Sequence, residues 1–118
     1  MSSELLSQAH ALRRDGDYAT ALSLYEQLIT DEPGSSEAWW GLAHCVMNGV
    51  GDFDLAIADF EKACALEPTS QLFVYDLAMM HTMLGDDETA KPLFEACVAI
   101  DPSSEISGKA RNQLRYYQ

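Results

Sequence analysis

The chain has 118 residues, 47% of them apolar, and a net charge of −12. That is the length of one domain with enough apolar content to fold, and no run approaches the ~20 apolar residues of a membrane span. Nucleic acid is excluded as a natural partner. All acids but Glu4 fall between residues 15 and 108, where Lys62 and Lys91 are the only bases, and such a body repels phosphate.

In chain order, residues 4–14 read as a helix with Leu5, Ala9 and Leu12 on one face. Asp15-Gly16-Asp17 breaks it, and Asp17 is placed to cap a second helix over 18–31 with Ala21, Leu24, Tyr25 and Leu28 inward. Pro33-Gly34 stops that helix. A third is expected over 37–48, followed by a longer turn at Asn48-Gly49-Val50-Gly51, and a fourth over 53–66, ending before Pro68.

The fifth helix is expected over 70–84 and the sixth over 87–100. Pro92 lies inside the sixth, where proline lacks a donor and crowds the preceding turn, so a kink or a late start is expected. A terminal helix over 104–117 carries Ile106, Ala110, Leu114 and Tyr117 on one stripe. Cys45, Cys64 and Cys97 are odd in number and lack CxxC spacing, which fits a reducing, cytoplasmic setting and small core residues. The opening residues lack the pattern of a signal peptide.

Three segments repeat. Ala21, Ala56 and Ala90 are spaced by 35 and 34 residues, as are Gly16, Gly51 and Gly85, then Tyr25, Phe60 and Phe94, then Pro33, Pro68 and Pro102. Ala9, Ala43 and Ala78 are spaced by 34 and 35, so the period is 34 and one extra residue lies between Ala43 and Gly51. Trp39-x2-Leu42-Ala43, Ala56-x3-Phe60 and Pro68 resemble the tetratricopeptide repeat, with Ala21-x3-Tyr25 and Ala90-x3-Phe94 in register. Asp87 departs from the pattern, standing where Tyr18 and Phe53 stand. The middle copy also looks somewhat like Sel1-type repeats, through NGVGDFDLAIADFEKA.

The resemblance implies an all-α, right-handed α–α superhelix of seven helices. It would be a single domain with repeats at about 2–35, 36–70 and 71–104 and a capping helix at about 104–117. It also implies a concave groove lined by the first helix of each pair. The family's groove positions fall on Ser3, Leu6, His10, Arg13 and Arg14, on Glu37, Trp40, His44, Met47 and Asn48, and on Leu72, Tyr75, Met79, Thr82 and Met83. Leu6, His10, Arg13, Trp40, His44, Met47, Leu72, Tyr75, Met79 and Met83 are the candidate partner-binding set, lying off the face that packs within each pair. Trp and Tyr are favoured anchors and methionines adapt to varied partners.

The family's carboxylate clamp is not expected, because its positions hold Leu6, His10, Gly41, Leu72 and Asp76. No catalytic constellation, cofactor motif or metal site is expected. His10 and His44 without a third ligand read as polar rim, and His81 reads as a core histidine beside Leu77. The expected function is a non-catalytic adaptor binding a protein or peptide partner by apolar anchors. Two alternatives stand beside it. One is a class II-like type III secretion chaperone for a hydrophobic translocator, which the chain's start at its first repeat disfavours. The other is self-assembly, such as a homodimer, with the basic terminal helix against an acidic body.

Overall fold

The computed structural model describes residues 2–117, and these contain helices and turns but no strand. The helices are α1 (Ser2–Arg14), α2 (Tyr18–Asp31), α3 (Ser36–Cys45), α4 (Phe53–Leu66), α5 (Gln71–Met83), α6 (Asp87–Ile100) and α7 (Glu105–Leu114). A π turn, Val46–Val50, extends α3, and one 3₁₀ turn, Arg115–Tyr117, extends α7.

Their starts are written in the sequence. Asp17, Ser35, Ser70, Asp86 and Ser104 each accept a hydrogen bond from the backbone N–H three residues on, which satisfies a donor that the first turn leaves unpaired. Gly16, Gly51 and Gly85 occupy equivalent turns with φ of 89°, 79° and 75°, a left-handed conformation that disfavours any side chain.

The chain forms two compact units, divided between Leu66 and Glu67. In the first, α1 packs on α2, α3 packs on α2, and α4 packs on α3. Ala9, Ala21, Ala43 and Ala56 are fully buried; side chains this small let paired helices approach closely. Tyr25 and Phe60 fill the space beside them and are also fully buried. In the second unit α5 pairs with α6, and α7 lies against both. Ala78, Ala90, Phe94 and Cys97 form its core, sealed by Ala110 of α7.

Three details differ from the expectations. The first helix begins at Ser2. The extra residue of the middle copy makes no long open turn: it is wound into the π turn, whose exit is closed by Gly51 N–H donating to Val46 O at 2.8 Å. And α6 does not start late, for Asp86 caps it and it runs from Asp87 through Pro92. Proline at that point costs the carbonyl of Glu88 its helical donor, but Glu88 and Pro92 are both exposed, so water can take the place.

Candidate functional site

In the first unit, α1 supplies Leu6, His10 and Arg13, α3 supplies Trp40 and His44, and the π turn supplies Met47. All six are partly buried. Four of them form one continuous chain of contacts. Arg13 places its guanidinium 4.6 Å from the centre of the Trp40 ring. Trp40 meets His10 edge-on at 5.9 Å and His44 edge-on at 4.7 Å. A guanidinium over an indole contributes about 0.5–1 kcal/mol when exposed and about 2 kcal/mol when desolvated, so Arg13 fixes the ring as well as charging it.

The chain of contacts rests on the helices behind it. His10 Nδ1 lies 2.5 Å from the Tyr25 hydroxyl, and Arg13 Nε donates to the same oxygen at 3.2 Å. His44 stands edge-on to Phe60 at 5.1 Å. These contacts correct one expectation: packing within each pair does account for His10 and His44, because each leans on the buried aromatic ring of its partner helix.

Gly41 makes the arrangement possible. A methyl group there would fall 2.2 Å from Tyr25 Cζ, so only glycine lets the phenol reach across to His10. Burial, then the charges of Arg13 and Arg14, lower His10 to a pKa of about 4. At neutral pH the imidazole is therefore uncharged, and the cationic feature of the cluster is Arg13. Burial likewise raises the phenol of Tyr25.

In the second unit Leu72, Tyr75, Met79 and Met83 all lie on α5. Leu72 and Met83 are 42% and 59% exposed. Tyr75 is partly buried and meets Phe94 edge-on at 5.7 Å, the same backing that Tyr25 and Phe60 give in the first unit. The far end of this face is occupied from within: Tyr117 lies 6.3 Å from Phe94, and its hydroxyl is 2.8 Å from Thr82 Oγ1.

His81 is largely buried, as expected, but it is not an apolar core residue: its Nδ1 lies 3.2 Å from Asp86 Oδ2, across the turn that Asp86 caps. Among the described residues no group of three or more His, Cys, Asp or Glu is arranged to hold a metal ion, and no helix is long and apolar enough to cross a membrane.

Sequence reasoning missed three positions. Gly41 gave no signal, since its need arises only from Tyr25 opposite. Gln71 belongs to no motif in the sequence, yet its side-chain amide donates to the carbonyls of Cys97 and Asp101 and approaches Ser107 Oγ at 3.0 Å, tying α5 to α6 and α7. Asp59 did carry a signal. It stands in register with Leu24 and Leu93, and it is 6% exposed with Oδ2 unpartnered.

Tetratricopeptide repeat models match residues 12–49 and 49–105. The chain belongs to the tetratricopeptide repeat family.

Among solved tetratricopeptide folds, the Yersinia enterocolitica type III secretion translocator chaperone SycD is 20% identical, with a TM-score of 0.89 over 98% of this chain and 89% of that one. The first tetratricopeptide domain of Spaghetti, bound to an HSP90 peptide, is 20% identical, with a TM-score of 0.85 over 98% of this chain and 88% of that one. At such identity the likeness is one of fold, and it establishes the all-α tetratricopeptide solenoid class. By sequence, cellulose synthase operon protein C of Pseudomonas fluorescens is 31% identical over 99 residues, 84% of this chain and 7% of that protein. The general transcriptional corepressor ssn6 of Schizosaccharomyces pombe is 24% identical over 103 residues, 86% of this chain and 9% of that protein. The chain spans less than a tenth of either curated relative.

Proposed function

We propose that this chain is a non-catalytic protein-interaction module, a single three-repeat domain that binds an extended or helical segment of a partner protein. The observation that carries this reading is Trp40, clamped between Arg13, His10 and His44 and still partly open to solvent. A rigid, partly exposed indole beside a cation is a common anchor at protein interfaces. Tyr75, Leu72 and Met83 supply further apolar anchors on α5. Leu6, Met47 and Met79 complete the contact set. The similar folds of SycD, solved with a peptide of the translocator YopD, and of Spaghetti, solved with an HSP90 peptide, support a peptide as the partner class. The cytoplasm is the setting that three cysteines outside any disulfide favour.

The test is affinity capture from lysate, read by mass spectrometry, with the natural protein and the Trp40→Ala/Tyr75→Ala double variant. The variant should keep its helical circular dichroism and lose its captured partners. Equal capture by both would overturn the reading.

A second reading is a chaperone of hydrophobic translocators, favoured by the fold likeness to SycD and to PcrH, the latter solved with the chaperone-binding region of PopD. A genome neighbourhood without secretion genes would remove it. Self-association of two copies remains the third reading, and a monomer at high concentration and low salt would exclude it.

A further inference from the structure

The pocket beside the π turn shares no residue with the Trp40 cluster and stands independently of the function proposed above. Tyr18, Ala19 and Leu22 of α2 form one wall, and Cys45, Gly49 and Val50 form the other, around about 100 Å³ that is open to solvent. The lining is almost wholly apolar. Burial raises the Cys45 thiol to about 11, so it acts there as a small apolar group and not as a nucleophile.

The pocket is a product of the extra residue. Winding that residue into Val46–Val50 widens the helix locally and brings the backbone of Gly49 onto α2, where a methyl group would fall 2.7 Å from Tyr18 Cβ. Single π turns cost backbone hydrogen-bond geometry and recur at functional sites. Here the π turn leaves Val50 64% exposed at the mouth, followed by Phe53 and Leu55 at 37% and 48%.

Charge says what kind of group would cover this apolar surface. Asp17 immediately precedes Tyr18, and Asp52 follows Val50 by two residues. Both carboxylates are held in place by capping, Asp17 accepting from Thr20 N–H and Asp52 from Leu55 N–H. Asp15 and Asp54 flank them and are exposed. Of the three bases in the first unit, Arg13 is spent on Trp40 and Lys62 lies over Trp39, which leaves Arg14 beside four acids. The whole chain, at −12, adds attraction for a cation in the same direction.

We propose that this pocket docks a basic segment of a partner protein, which inserts one aliphatic side chain between Tyr18 and Val50 and sets its lysines or arginines against Asp15, Asp17, Asp52 and Asp54. The volume admits a branched aliphatic group but is small for a whole aromatic ring. The segment is basic because the stretches that supply Tyr18 and Val50 carry four acids, Asp15, Asp17, Asp52 and Asp54, which would repel an acidic one.

The test uses the full chain, labelled with nitrogen-15, and a short synthetic peptide of alternating lysine and arginine around one central leucine. Saturable amide shifts at Tyr18, Gly49 and Val50 are expected, weakening as salt is raised. Replacing the leucine with asparagine should weaken binding by about ten- to a hundredfold, the loss expected for one buried aliphatic group. Val50→Lys, at an exposed position, should weaken it roughly tenfold or more by placing a positive charge in the apolar mouth. Trp40→Ala should leave it unchanged. Absence of shifts at the pocket would overturn the proposal, as would equal binding of a glutamate-substituted peptide. So would a dimer in sedimentation that Val50→Lys dissociates, which would mean that a second copy of the chain covers the pocket.

Discussion

The Tyr25 hydroxyl takes a hydrogen bond from Arg13 Nε and meets His10 Nδ1 at 2.5 Å. Arginine can only donate, and the fully buried hydroxyl still needs an acceptor for its own proton, which Nδ1 of His10 supplies. Tyr25 therefore donates to Nδ1 of a neutral His10, and the histidine carries its hydrogen on Nε2. One buried phenol thus fixes the tautomer of a ring that touches Trp40.

Gly41→Ala tests this arrangement. Its methyl group would overlap Tyr25 Cζ, and the ring is fully buried and held by two partners. Overpacking of this kind costs about 1–3 kcal/mol. Denaturant unfolding should show that loss, and Trp40 fluorescence should change as Arg13 and His10 move. Gly34→Ala, where a methyl group meets nothing within 4 Å, is the matching control and should leave both readings unchanged.

Two buried groups should give stability opposite dependences on pH. Burial pushes Asp59 up to about 6 from an ordinary 3.8, so its contribution is complete below 3.8 and is lost as pH rises through about 6. His10 is lowered to about 4 from 6.5, so its contribution is complete above 6.5 and is lost as pH falls through about 4. Asp59→Leu restores the residue type of Leu24 and Leu93 and should stabilise the chain by about 1–3 kcal/mol at neutral pH, the usual cost of an unsatisfied buried polar group. That gain should shrink between pH 7 and pH 4 in thermal melts; a constant gain would show that Asp59 does not titrate there. Proton NMR should place the His10 titration near pH 4.

Gln71→Leu should loosen the terminal helix. It removes the donor to Cys97 O at 2.7 Å and to Asp101 O at 3.2 Å, along with the contact to Ser107 Oγ. Cys97 O loses this donor, at about 1–3 kcal/mol, while Asp101 O keeps Ser104 N–H and the Ser107 hydroxyl. Hydrogen exchange should accelerate through residues 105–114 and not through α1 or α2. Uniform acceleration would mean that Gln71 supports the whole chain.

The architecture was legible because its rules are local and repeated. Ala21, Ala56 and Ala90 recur at the period and are all fully buried, and capping Ser or Asp residues stand where α2, α3, α5, α6 and α7 begin. The candidate set was legible only as positions on α1, on α3 with its π turn, and on α5. The Tyr25–His10 contact spans 15 residues and Gln71–Ser107 spans 36, and neither pairing follows from helical periodicity. The late start suggested by Pro92 did not occur for a related reason: the cost of proline depends on whether the orphaned carbonyl reaches water, which is decided by the surface and not by the residue.

The π turn also bears on how such arrays change length. One added residue was taken up inside Val46–Val50, and the landmarks of the next copy, from Gly85 to Pro102, kept their 34-residue spacing from those of the middle copy. An insertion at the bend between paired helices can be taken up within the bend itself, reshaping the notch beside it. Bends of this kind are where a repeat protein can acquire a new surface without giving up the old one.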